Sequence, residues 1–301
     1  MGMEIGAVQE IDIGQMVKCN GNGEFLISLD IPRTNRDSSE RLLIRNGIVF
    51  IICKGDEGSV MIDSKEYKLS NNSLIVLPEN HIVTIHTGLL SNSNIIAVSL
   101  DYILNMPSPI DTAIFGYSRY RSVIRVSDDK FNDLQSYYQF IYKESKEQSK
   151  YQTEIIQSIF YALILEIVGE YERMFEGAEQ AHIKSDSLSD EFFRLLALHY
   201  REQHSVKYYA EQMHLTPKYL STAIKRVSGR PILDWIHDAV LIDAKMLLRT
   251  TELTVEQIAD TLNFSSASAF VQFFKKHTGK KVFVARSQAD KRKQKQYFFS
   301  K

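Results

Sequence analysis

Cysteine is nearly missing from this chain: Cys19 and Cys53 are the two in 301 residues. Their spacing suits neither a disulfide framework nor a cysteine zinc site, and it fits a reducing cytoplasm. Long apolar runs are missing too. The longest unbroken one, Ile159 to Leu165, is far too short to span a bilayer, so no membrane segment is expected. No basic stretch followed by an apolar one opens the chain, which predicts no secretory signal. Met1 and Gly2 resemble a myristoylation start, but Gly6 stands where serine or threonine is needed. Metal-binding patterns are thin: the β-rich part offers His81 and His86, with no His-x-His and no suitably spaced acidic partner. Both histidines read as surface or loop residues, and no metal or other cofactor is expected. No Ser/His/Asp or Cys/His arrangement can be assembled either, so no catalytic residue is assigned.

What the chain does have is ordinary globular content, 44% apolar and 24% charged, and enough length for two cores. The net charge of −1 hides a polarity. Residues 188–301 hold 19 Lys and Arg against 11 Asp and Glu, whereas residues 1–187 hold 17 against 26. A basic module joined to an acidic one suggests that the C-terminal part alone meets a polyanion.

Residues 1–40 are the least legible and read as an edge strand and a loop. From Leu42 short β-rich runs follow closely: 47–53, 59–62, 66–69, 73–78, 81–85 and 94–100, separated by Gly-, Asn- and Asp-rich turns. Such spacing predicts a sandwich or barrel. The period then changes. Phe131, Leu134, Tyr138 and Ile141 form one helical stripe. A second helix, from about Thr153 to Met174, carries Ile155, Ile156, Ile159, Phe160, Leu163, Ile164, Ile167 and Val168 around more than half its circumference. That predicts burial on two sides, one against the sheet and the other against a second chain or its own subunit. Glu176 to Ser189 reads as an interdomain linker.

The C-terminal part contains one pattern twice. Tyr209-Ala210, Met213 and Leu215 precede Ile258-Ala259, Leu262 and Phe264 by 49 residues. After one extra turn residue, Leu220, Ile224, Lys225-Arg226 and Gly229 precede Phe270, Phe274, Lys275-Lys276 and Gly279 by 50. Apolar, cap, basic and glycine positions keep step, so one helix-turn-helix unit is used twice. Thr254 with Gln257 makes a capping box, Ser205 and Thr216 are candidate caps, and Pro217 falls at a first helical position. Ser265 or Ser266 caps the last helix. Pro231 opens a long connecting helix.

Residues 190–286 resemble the double helix-turn-helix domain of AraC/XylS-family transcription regulators, through YYAEQMHLTPKYLSTAIKRVSG, the connecting DWIHDAVLIDAKMLLRTTELTVEQIADTLNF, and SSASAFVQFFKKHTG. Departures from the family pattern are Asn263, Ala269, Val240, Val282 and Ala285-Arg286. The stretch FIICKGDEGSVMIDSKEYKLSNNSLIVLPENH is similar to the cupin sensor domain of many members. The resemblance implies a two-domain α+β chain: a cupin-like sensor barrel (1–126), a helical dimerisation segment (127–178), a linker (179–189), the double helix-turn-helix domain (190–286) and a basic tail (287–301). It implies double-stranded DNA as partner, a small-molecule effector in the barrel, and a homodimer.

Helix position marks Lys218, Ser221 and Thr222 as base readers of the first unit, and Ser266, Ser268 and Gln272 as those of the second. Lys225, Arg226, Lys275 and Lys276 are assigned to phosphates. Because Ala267 and Ala269 offer only apolar contact, the first unit is expected to supply more of the discrimination. Two readings from other classes stay open. In one, the helical domain docks on protein instead of DNA; in the other, the barrel is a metal-dependent enzyme.

Overall fold

The computed structural model describes residues 8–20, 25–28, 39–54, 58–63, 65–86, 93–104, 106, 114, 117–118, 121–180, 188–279 and 281–282. The expected basic tail lies outside them. Ten strands come first: β1 (Val8–Asp12), β2 (Phe25–Ser28), β3 (Ser39–Arg45), β4 (Gly47–Cys53), β5 (Gly58–Ile62), β6 (Lys65–Leu69), β7 (Ser73–Leu77), β8 (Ile82–His86), β9 (Ser93–Ser99) and β10 (Val123–Arg125). Helix α1 (Ile13–Asn20) follows β1 and α2 (Leu100–Leu104) follows β9. Helices α3 (Asp128–Glu144) and α4 (Gln152–Gln180) close this half.

The strands form two sheets, ordered β1-β3-β8-β5-β6 and β10-β7-β4-β9-β2. Among the described residues no pairing joins the two, so the expected closed barrel is an open pair of sheets. Strand β1 runs parallel to β3, which makes two strands and a helix of a region expected to hold one edge strand. Residues between the sheets form one core, with Ile44, Val49, Ile51, Val60, Ile75 and Val83. The other face of the second sheet packs Ile48, Phe50, Ile52, Leu74 and Val76 against Leu134, Tyr138, Phe160, Leu163 and Ile167 of α3 and α4. Burial on both faces explains why β4 and β7 read as unbroken apolar runs. The turns use left-handed Asn46, Asp63, Asn72 and Asn80, residues that tolerate this conformation better than other non-glycines.

Helix α3 starts at Ser127, whose side chain accepts from Lys130 N, and Lys130 Nζ reaches Glu166 Oε2 of α4 at 2.5 Å. Gln152–Met174 is long and apolar enough to cross a bilayer by length and composition. Its large side chains Phe160, Leu163, Ile164 and Tyr171 instead fill the core. Helix α4 continues to Gln180, so the stretch read as a linker from Glu176 is helical up to that residue, and 181–187 lie outside the described residues.

The second half is all helical: α5 (Leu188–His199), α6 (Val206–Gln212), α7 (Pro217–Ser228), α8 (Ile232–Thr250), α9 (Val255–Thr261) and α10 (Ala267–Thr278). Trp235, Ile236, Ala244 and Leu248 of α8 join Phe192, Tyr209, Leu220, Ile258, Phe270 and Phe274 in one core. Ile242 and Met246 of the same helix belong to the other half's core. Beside them, Lys245 Nζ meets Glu79 Oε1 at 3.3 Å, Arg249 Nη1 meets Asp101 Oδ1 at 2.6 Å, and Asn80 Nδ2 donates to Asp238 Oδ2 at 3.0 Å. The exposed Arg201, just after α5, pairs with the buried Asp243 of α8 at 2.5 Å.

His81 corrects a sequence expectation. It is buried, its Nδ1 lies 2.5 Å from Asp63 Oδ2, and its ring packs 5.8 Å from that of Trp235. It therefore has an acidic partner and sits between the two halves. Among the described residues no group of three or more His, Cys, Asp or Glu is arranged to hold a metal.

Gly47 is where β4, β9 and α1 approach most closely: a Cβ there would lie 2.5 Å from both Ile13 Cβ and Val98 O. Neither neighbour is the end of a flexible side chain. Gly47→Ala should cost roughly 1–3 kcal/mol through overpacking, read as a lower urea midpoint. An unchanged midpoint would mean the three elements pack less tightly than described.

Candidate nucleic-acid interface

Each unit is built from the same local rules. In the first, the Ser205 side chain accepts from Tyr208 N to cap α6, and Leu215 N returns to Ala210 O at 2.8 Å across the turn. His214, at φ 55°, makes the left-handed step. Thr216 then caps α7 by accepting from Tyr219 N, Pro217 stands in the first turn, and Gly229 ends the helix at φ 73°.

The second unit repeats this. Thr254 and Gln257 form the reciprocal capping box of α9, Asn263 turns at φ 53°, and Phe264 N returns to Ala259 O at 2.8 Å. Ser266 caps α10 by accepting from Ala269 N, and Gly279 ends it at φ 68°. The extra turn residue of the second unit is thus Ser265, and of the two serines Ser266 is the cap. Asn263 also donates its Nδ2 to Glu202 O at 2.6 Å, a bond that glycine could not make.

On α7, Leu220, Ala223 and Ile224 are buried while Lys218, Thr222, Lys225 and Arg226 are exposed and Ser221 is half-buried. On α10, Phe270 and Phe274 are buried while Ser268, Gln272, Lys275 and Lys276 are exposed, as is the capping Ser266. In register, Lys218 corresponds to Ser268, Thr222 to Gln272, and the basic pairs to each other. Ser221 Oγ donates to Pro217 O at 2.7 Å and Thr222 Oγ1 donates to Lys218 O at 2.9 Å. Both hydroxyls therefore turn lone pairs outward, which suits the amino groups of adenine and cytosine.

The basic pairs lie in the last turns of their helices, where positive charge also opposes the helix dipole. Three histidines of this half are held toward their neutral form. Burial holds His204 below its ordinary value; burial, then His277, does the same for His237, and burial, then Lys276, for His277. Phe273 is half-buried and packs against Phe264, His237 and His277 with ring centroids at 5.1, 5.3 and 4.7 Å. Sequence reasoning passed over Tyr219, which is 55% exposed on α7. Its clue was a large aromatic off the apolar stripe, matched by Ala269 in the second unit.

Residues 209–283 match the family described as a helix-turn-helix domain. An uncharacterised HTH-type transcriptional regulator, YobQ of Bacillus subtilis, is 32% identical over 81 residues, which cover 27% of this chain and 34% of that protein. This chain thus matches about a third of that relative's length. The C-terminal domain of the response regulator yesN from Fusobacterium nucleatum is 28% identical, covering 32% of this chain and 93% of that one, with a TM-score of 0.31. ToxT from Vibrio cholerae is 13% identical over 86% of this chain and 96% of its own, with a TM-score of 0.31. Neither structural likeness is close enough to add to the sequence match. Residues 209–283 of this chain are a helix-turn-helix domain.

Proposed function

We propose that the chain is a sequence-specific transcription regulator that reads two adjacent major grooves with α7 and α10. The observation that carries this reading is the repeated pair of capped helices with exposed polar and basic outer faces, within a domain of that type. A helix in the major groove reads base edges near its start and holds phosphates on its flanks. Lys218, Ser221, Thr222, Ser266, Ser268 and Gln272 are proposed for bases, Lys225, Arg226, Lys275 and Lys276 for phosphates. The N-terminal half would act as an effector-responsive sensor of small molecules in the cytoplasm, without catalysis. Selection of duplexes from a random pool tests the reading: two half-motifs about one helical turn apart support it, and recovery of unselected sequence removes it.

A homodimer through α4 is proposed as well. Ile155 and Leu165 stand 39% and 48% exposed on that helix, with Ser158 and Ala162 between them on turns of the same side. Leu165→Glu should lower the mass seen by light scattering to that of one chain; an unchanged assembly would place the contact elsewhere.

Lys225→Ala should weaken all duplexes alike and flatten the dependence of log affinity on log salt by about one unit. An unaltered slope would remove Lys225 from the phosphate contacts. Replacing Ser221 and Thr222 by alanine should relax specificity more than replacing Ser268 and Gln272. The reverse order would transfer the greater share of discrimination to the second unit.

A further inference from the structure

The C-terminal end of α7 is fastened by a short chain of contacts. Trp235 Nε1 donates to Ser228 Oγ at 3.0 Å, the Arg230 guanidinium lies 4.4 Å over the Trp235 ring, and Arg230 Nη2 donates to Asp238 Oδ2 at 2.7 Å. Arg230 and Asp238 side chains are only 20% and 19% exposed, so water screens their pairing weakly. The fastening continues into the other half of the protein. Asn80 Nδ2 donates to the same Asp238 oxygen, while Arg45 Nη1 donates to Asn80 Oδ1 at 2.5 Å. An arginine can only donate and a carboxylate only accept, so the two partners fix which way the amide faces. Asn80 is itself pinned, its N–H donating to Ile44 O at 2.7 Å in a left-handed turn. The next residue, His81, packs on Trp235. Two consecutive sensor residues thus hold the two groups that hold the end of the first reading helix. In the second unit, α10 meets α8 through His237, Phe273 and His277, a contact containing no sensor residue.

We infer that Asn80 is a positioning residue for the first reading helix: through Asp238 and Arg230 it sets how α7 sits in its groove, and so the base preference of that unit alone. This rests on the DNA-reading function proposed above. Two variants separate the amide from the turn that carries it. Asn80→Gly removes the amide and keeps the left-handed backbone at no steric cost. Asn80→Asp keeps the shape but sets a carboxylate against Asp238.

The experiment selects motifs from a random duplex pool with the full chain and then measures competition by single-base variants in each half-motif. The half read by α7 is identified as the one lost on Thr222→Ala. In Asn80→Asp, discrimination in that half should fall on the order of three- to tenfold, while the other half keeps its preference within about twofold. Asn80→Gly should lower the same half by less. Equal loss in both halves, or no loss in either variant, overturns the inference while leaving the function standing. Wild-type protein that selects no motif overturns the function, and the inference with it.

Discussion

The double burial of α8 is the constraint on which the rest depends. One stripe, with Trp235, Ile236, Ala244 and Leu248, lies in the helical core, and another, with Ile242 and Met246, lies in the core of the N-terminal half. Each buried Ile or Met contributes roughly 1.5–3 kcal/mol, whereas for the partly buried pairs Lys245–Glu79 and Arg249–Asp101 the cost of desolvating two charges offsets much of their attraction. The apolar seat therefore holds the halves together, and the polar contacts fix their orientation. A helix required to satisfy two cores has little freedom to slide. That rigidity makes it a suitable spacer between α7 and α10.

Much of this was legible because burial leaves periodic traces. A sheet covered on both faces wrote continuous apolar runs at Gly47–Cys53 and Ser73–Leu77. Caps wrote local ones: Thr254 with Gln257, Thr216 with Pro217, and the two terminal glycines sit at the expected positions because each satisfies backbone groups within a few residues. The outward or inward facing of α7 and α10 followed from the same periodicity.

What escaped the sequence depends on distant partners. His81 carries no local mark of burial; its neighbours are Asp63, across a β-turn region, and Trp235, in the other half. Strand β1 pairs in parallel with β3, an association that no short-range pattern announces. The N-terminal bound of the linker was set too early for another reason. Glu, Ala and Gln near residue 180 look like polar spacer composition, yet they are good helix formers and extend α4 to Gln180. Whether a barrel closes is likewise a matter of strand pairing between sheets, which hydrophobic alternation does not encode.

The two units are built alike but held differently, and that difference has a physical origin. Gly229 and Gly279 end their helices in the same left-handed conformation, with open space where a Cβ would be, so the cap itself gives neither helix an advantage. The residues after the caps do. Arg230 returns to Trp235 and Asp238, groups shared with the N-terminal half, whereas α10 leans on a ring cluster within the helical half. A perturbation of the sheet turn at Asn80 therefore has a short hydrogen-bonded route to α7, while Asp238 reaches α10 through its charge acting on His237 and His277. Coupling carried by packed and hydrogen-bonded groups is felt where those groups are shared. Duplication supplied two helices, α7 and α10, built alike, and the docking of α8 gave them unequal surroundings.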